Sequence, residues 1–189
     1  MSLFYVALVM INCLFKNYVV PLLVVLIFVL RLYFLKISIK NEKKILKNGG
    51  KEFGVKNTKA ITILHILFYV FCPIEAIIRG VRLDSVGLVG ISMVIFSMIV
   101  LYTVISILGD IWTVKLMLLK NHKYVDHWLF RTFKHPNYFL NIMPELCGIG
   151  LLCHAKLTSL VILPLYAIVL YKRISQENMI LEKYIIPNR

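Results

Sequence analysis

The chain has 189 residues, 60% of them hydrophobic, and its mean hydropathy is +0.82. These values exclude an ordinary soluble domain and predict an integral membrane protein with a single domain, residues 1–189. The net charge of +13 does not indicate nucleic-acid binding, because the basic residues lie between apolar runs, where the positive-inside rule accounts for them. The four cysteines form no CxxC pair, so neither structural disulfides nor a zinc site is expected.

The apolar runs predict an all-α protein with about five transmembrane helices, at residues 18–35, 60–78, 86–108, 137–153 and 157–174. The apolar segment within residues 1–17 is too short to span a bilayer alone, and its topology is left open. Residues 36–59 contain eight lysines and two glutamates, which predicts a cytoplasmic loop. We therefore expect a multi-pass protein of the cell membrane whose C-terminus lies in the cytoplasm. Arg31 is expected to extend from the end of the first helix towards the headgroups.

A basic and aromatic connector, residues 109–136, leads into a predicted C-terminal helical hairpin. The connector ends in His-Pro, which favours a helix start at the membrane boundary. If the hairpin turns near residue 156, antiparallel pairing places Tyr138 opposite about residue 174. His135 and Tyr138 then face Arg173 and Glu177 across the hairpin. On these residues alone, an ion pair at a helix end and a functional site are both open interpretations.

Glu145 lies within the predicted hairpin, about 10.5 Å of helix rise beyond Tyr138. A carboxylate at that depth is costly unless it is paired or solvated, so it indicates a functional site. Tyr138, Asn141 and Glu145 share one helical face and form a polar stripe, where a bound cation would offset the cost. Gly87, Gly90, Gly148 and Gly150 are expected to permit close helix packing rather than to contact a ligand.

Together these residues resemble the isoprenylcysteine carboxyl methyltransferase-like integral membrane methyltransferases. The resemblance is carried by His122-Lys123-Tyr124-Val125, Lys134-His135-Pro136-Asn137-Tyr138, Glu145 and Arg173-Ile174-Ser175-Gln176-Glu177. Two upstream stretches are similar to a bacterial branch that resembles alkylpyrone O-methyltransferases, namely Ser38-Ile39-Lys40-Asn41-Glu42 and Leu108-Gly109-Asp110-Ile111-Trp112-Thr113. The chain departs from the family pattern at Trp128-Leu129-Phe130, where Gly-Pro-Tyr is usual, at Lys134 in place of Arg, and at Asn178 in place of Glu.

The resemblance implies an S-adenosyl-L-methionine-dependent methyltransferase that acts on an acidic oxygen, a carboxylate or an enol. The acceptor would be a lipophilic small molecule or a prenylated group that enters from the membrane lipids, and the cofactor pocket would open to the cytoplasm. The resemblance also implies catalytic roles for Arg173 and Glu177. It assigns cofactor binding to His122, Tyr124, Val125, His135, Pro136, Asn137, Tyr138 and Glu145, with no metal.

Three alternative functions are open at this point. An NADPH-dependent membrane reductase of related architecture would also have a cytoplasmic nucleotide pocket. A metal or haem protein would use the five histidines, His65, His122, His127, His135 and His154. In a non-enzymatic transport or assembly protein, Glu145 would serve ion or proton movement.

Overall fold

The protein, described by a computed structural model over residues 3–119 and 125–185, is almost entirely helical. Its helices are α1 (Leu3–Lys47), α2 (Val55–Ile78), α3 (Ser85–Leu108), α4 (Trp128–Thr132), α5 (Met143–Leu152) and α6 (Lys156–Ile180). Two short strands are β1 (Lys51–Phe53) and β2 (Leu116–Leu118). A 3₁₀ turn, Gly109–Ile111, follows α3, and two π-helical segments, Asn137–Ile142 and Leu181–Ile185, precede α5 and follow α6. The predicted all-α class is confirmed.

Four helices in the described part of the chain are long and apolar enough to cross a membrane. They are Tyr18–Lys47, Val55–Ile78, Ser85–Ile111 and Lys156–Tyr184. The predicted span at residues 137–153 is also helical. It consists of a six-residue π-helical segment followed by the ten-residue α5, so it is shorter than the roughly 20 residues of a typical membrane-spanning helix. Many leucine, isoleucine and valine side chains are exposed on the outer surface of the bundle, as contact with lipid requires.

The first helix differs from its prediction at both ends. The chain is helical without interruption from Leu3 to Lys47, so α1 includes most of residues 1–17 and the first half of the predicted loop at residues 36–59. Ser38, Asn41 and Ile45 lie three or four residues apart and are all buried. The loop prediction is therefore wrong for residues 36–47. The lysine count revealed the polar side of this helical extension but not the face that packs against the protein.

The buried face of this extension holds the connector in place. The side-chain amide of Asn41 donates to the backbone carbonyls of Gly109 and Trp112, at 2.9 Å in each case. The hydroxyl of Ser38 accepts from the backbone N–H of Val114 at 2.9 Å. Strands β1 and β2 pair antiparallel, with Glu52 opposite Met117. The connector is thus fixed across one end of the bundle, which is called the site end below.

Helices α3 and α5 approach each other closely at two glycines. A Cβ added at Gly90 would lie 2.5 Å from the carbonyl oxygen of Gly148, and a Cβ at Gly148 would lie 2.6 Å from that of Gly90. No side chain fits between backbones at this distance. Of the four glycines predicted to permit close helix packing, Gly90 and Gly148 are confirmed in that role.

A buried carboxylate ties the hairpin to α2 at the opposite end of the bundle. Glu75 accepts from the backbone N–H groups of Leu157 and Thr158, at 3.2 and 2.9 Å, where α6 begins. Arg79, one turn further along, lies 3.1 Å from the same carboxylate. Free N–H groups at a helix N-terminus favour a negative charge, so Glu75 stabilises this junction.

Candidate active site

A cavity of about 260 Å³ lies at the site end, between α3, the connector, the start of the π-helical segment and the end of α6. Its volume is slightly below the usual range for small-molecule sites, roughly 300–1,000 Å³. Seven of the ten residues predicted for the site line it, namely Val125, His135, Pro136, Asn137, Tyr138, Arg173 and Glu177. Two others, His122 and Tyr124, lie outside the described residues. The tenth, Glu145, is elsewhere.

His135 links the connector to α6 through both of its ring nitrogens. Nδ1 lies 3.3 Å from a carboxylate oxygen of Glu177, and Nε2 lies 2.9 Å from the side-chain oxygen of Asn178. The ring is almost fully buried, with Nε2 in a hydrogen bond and Nδ1 within ion-pair distance of a carboxylate, an arrangement that suits the protonated imidazolium. Asn178, which replaces the second glutamate of the family pattern, thus still contacts His135.

Tyr138 connects Glu177, which contacts His135, to the buried Arg173. Its hydroxyl donates to Glu177 at 2.5 Å and accepts from Nε of Arg173 at 3.1 Å. These contacts confirm the hairpin register, in which His135 and Tyr138 face Arg173 and Glu177. One small cluster therefore contains an imidazole, a phenol, a carboxylate and a guanidinium, all on the cavity wall.

Arg173 joins three separate parts of the chain. Besides Tyr138, its guanidinium donates to the hydroxyl of Thr58 at 2.8 Å and to the carbonyl oxygen of Val114 at 2.9 Å. Thr58 belongs to α2 and Val114 to the connector. Arg173 thus fixes the walls of the cavity and has two N–H groups beyond these three bonds with which to contact a ligand.

Charge in the site is set by neighbouring groups. Burial lowers the pKa of His135, but the hydrogen bond and charge of Glu177 outweigh it, so that its pKa lies above the ordinary 6.5. Lys115, which also lines the cavity, lies 3.2 Å from Glu42 and 3.3 Å from Glu52, and the Glu42 contact raises its pKa. Both shifts therefore favour the cationic forms of these groups.

Lys115 and Trp112 are among the cavity residues that were not predicted as site residues. Lys115 stands on the connector and was counted there only as one basic residue among several. Trp112 is buried, and its indole N–H is a donor without a hydrogen-bond partner among the described residues. A buried donor of this kind is unusual, and on a cavity wall it suits a ligand acceptor. For Trp112, the sequence signal was its place in the upstream stretch from Leu108 to Thr113, which resembles the bacterial branch of the family.

Glu145 does not line the cavity, so its predicted contact with the cofactor is not supported. The carboxylate is fully buried and forms an ion pair with Arg31 of α1. The prediction that Arg31 extends to the headgroups is therefore wrong, because its guanidinium contacts Glu145 instead. The predicted polar stripe does meet a cation, but that cation is a side chain of the same chain. Because α1 continues well past residue 35, Arg31 lies inside the helix rather than at its end.

The described histidines lie in separate environments. His65 contacts the hydroxyl of Tyr166 at 3.3 Å, His127 accepts from the backbone N–H of Leu129 at the start of α4, and His154 pairs with Asp84 at 3.0 Å. Across residues 3–119 and 125–185, no group of three or more metal-ligating side chains comes together.

Comparisons with known proteins agree with the residues in the cavity. A sequence model described as the isoprenylcysteine carboxyl methyltransferase (ICMT) family matches residues 89–183. An uncharacterized protein of Haemophilus influenzae is 42% identical over 152 residues, which cover 80% of this chain and 88% of the relative. The uncharacterized protein YpbQ of Bacillus subtilis is 32% identical over 164 residues, 86% of this chain and 96% of the relative. No solved structure gives a significant match.

Proposed function

This chain belongs to the isoprenylcysteine carboxyl methyltransferase family and is a membrane methyltransferase, and we propose that it transfers a methyl group from S-adenosylmethionine to an acidic oxygen of a lipophilic acceptor. The observation that carries the proposal is the linked cluster of His135, Tyr138, Arg173 and Glu177 on the cavity wall. The cluster supplies opposite charges at one small site, which suits the transfer of a methyl group between a cation and an anion.

The donor groups of the cavity fit the proposed cofactor. Glu177 offers a partly exposed carboxylate, which suits the positive charge of a sulfonium or an amino group. Asn137 and the indole N–H of Trp112 offer hydrogen bonds to its polar atoms. When bound, S-adenosylmethionine supplies an electrophilic methyl group that an oxygen anion can attack in line.

The chain's own residues would contribute by positioning and by charge. Arg173, fixed by three hydrogen bonds, would orient the anionic oxygen of the acceptor with its remaining N–H groups. Val104, Leu108 and Ile180 give the same cavity an apolar side, which suits a lipophilic acceptor. Holding two reactants in line can contribute several kcal/mol to the rate enhancement, because the entropic cost is met on binding. A carboxylate or enolate acceptor needs little help from a general base.

The first test is binding of S-adenosylmethionine, S-adenosylhomocysteine and NADPH to the detergent-purified protein by calorimetry. We expect both S-adenosyl compounds to bind and NADPH not to bind. Replacing Glu177→Gln should weaken S-adenosylmethionine binding by about tenfold or more, because a charge-assisted contact is lost. S-adenosylhomocysteine, which has no sulfonium charge, should lose less if Glu177 faces the sulfur.

The matched control is Glu182→Gln, one turn further along. Glu182 is largely exposed and lies 3.5 Å from Lys134, so its replacement should leave the affinities unchanged. Binding of NADPH alone would contradict the proposal in favour of a membrane reductase. Binding of none of the three compounds would favour a transport or assembly protein.

A further inference from the structure

A second buried polar cluster lies inside the bundle, next to the cavity but not in its wall. Nε of Arg31 donates to Glu145 at 2.5 Å, and Nη2 of Arg31 donates to the side-chain oxygen of Asn141 at 2.8 Å. The hydroxyl of Tyr69 also donates to Glu145. These side chains come from α1, α2, α5 and the π-helical segment, so the cluster joins four parts of the fold.

Three of the four side chains in this cluster are buried, and the side chain of Arg31 is 17% exposed. Glu145 is 0% exposed, Asn141 1% and Tyr69 4%. A buried ion pair is weak evidence for stability, because the free energy needed to remove both charges from water can exceed their mutual attraction. Its hydrogen bonds nevertheless fix the orientations of the groups it contacts.

Asn141 links the buried cluster to the cavity through hydrogen bonds. Its side-chain oxygen accepts from Arg31, so its NH₂ group must point the other way, and it donates to the side-chain oxygen of Asn137 at 2.8 Å. Asn137 lines the cavity. Because its oxygen accepts from Asn141, the NH₂ group of Asn137 is the part of the amide that remains to donate to a ligand.

We propose that Arg31, Glu145 and Asn141 form a positioning network within the membrane, which fixes the Asn137 amide as a hydrogen-bond donor to the bound S-adenosyl cofactor. The inference rests on the proposed function and adds to it. Glu145 acts here through Arg31 and Asn141 rather than by touching the cofactor. The π-helical geometry supports this assignment: the backbone N–H of Met143 bonds to the carbonyl of Tyr138, a five-residue step that is frequent at functional sites.

The test removes the ion pair without leaving an unpaired charge. In the double variant Arg31→Met/Glu145→Leu, both charges are replaced by apolar side chains, a change that is often neutral for stability. We expect the melting temperature to stay close to that of the wild type. The affinity for S-adenosylhomocysteine, measured by calorimetry, should fall about five- to thirtyfold, since Asn141 loses the donor that fixes it. An unchanged affinity would overturn the proposal.

A double-mutant cycle separates positioning from general damage. In an Asn137→Ala background the same double substitution should change the affinity by less than about twofold, because the group that it positions is gone. Additive losses would contradict the proposal. The matched control is Glu75→Gln, which alters another buried carboxylate at the opposite end of the bundle. It should lower the melting temperature and leave S-adenosylhomocysteine affinity unchanged.

A second variant keeps the test informative if the double variant does not fold. Arg31→Lys retains the charge next to Glu145 but lacks the planar fork that reaches Glu145 and Asn141 together. It should fold and show a similar loss of affinity, and a wild-type affinity would overturn the proposal. If the wild-type protein itself binds no S-adenosylhomocysteine, the proposed function fails and the positioning role fails with it. If the wild type binds and the variants bind equally well, only the positioning role fails.

Discussion

His135 and Glu177 are the two residues whose interaction should respond most directly to pH. The pKa of His135 is raised above 6.5 in the folded protein, because Glu177 favours the imidazolium more strongly than burial disfavours it. A raised pKa in the folded state means that the pair stabilises the protein fully below pH 6.5. This stabilisation is lost as the pH rises through the raised pKa.

We therefore predict that the wild-type melting temperature exceeds that of His135→Gln by a margin that shrinks with rising pH. The margin should be largest below pH 6.5 and smallest above the pKa of the folded state. Thermal unfolding in detergent across this window measures it. In the Glu177→Gln background the pH dependence should largely vanish, because the charge that raises the pKa is absent. A margin that grows with pH would contradict the assignment of the imidazolium.

Glu145 shows what sequence can and cannot reveal about one residue. A carboxylate in an apolar helix is visible in the sequence, and the prediction that it must be paired is correct, since Arg31 contacts it. The identity of the partner was missed. Arg31 precedes Glu145 by 114 residues, and no periodicity indicates which helices become neighbours. His135 and Tyr138 were placed correctly because a hairpin with a known turn fixes the register of its two helices.

Helix packing at Gly90 and Gly148 sets where α5, and with it the π-helical segment, can lie. We predict that Gly90→Ala destabilises the protein by about 1–3 kcal/mol, because the added methyl group would overlap backbone atoms of α5. Thermal unfolding in detergent should show a lowered melting temperature.

Gly150→Ala, in α5 itself, is the matched control. Its added Cβ would meet the hydroxyl of Ser159 at 2.7 Å, and a side-chain hydroxyl can rotate away. We expect this variant to lose clearly less stability than Gly90→Ala. Equal losses would argue that the α3–α5 contact does not limit the packing.

The elements that sequence predicted poorly are those without a repeating pattern. The bounds of helix α3 were predicted to within one residue, because a long run without charged residues indicates a membrane-spanning helix. Strands β1 and β2 have only three residues each, too few to show the alternation typical of a strand. Their pairing joins segments far apart in sequence. The α1 extension that contacts the connector was not predicted, because its lysines indicated a loop.

At the scale of the whole molecule, the distribution of charge predicts the orientation in the membrane. The basic residues between 36 and 59 lie at the site end, because Thr58 contacts Arg173 and Lys44 contacts Asp110. The opposite end has few basic residues and carries the turn between α2 and α3. The positive-inside rule therefore favours a cytoplasmic site end, where a soluble methyl donor is made.

This orientation can be measured with single cysteines in a variant whose four native cysteines are replaced. We predict that a membrane-impermeant maleimide labels Leu83→Cys in intact cells, because this exposed residue lies in the turn opposite the site end. Lys47→Cys, at the exposed end of α1, should be labelled only after the cells are lysed. If Lys47→Cys alone were labelled in intact cells, the orientation would be the opposite of the predicted one. The cavity would then face away from the cytoplasmic pool of S-adenosylmethionine, which would contradict the proposed use of that donor.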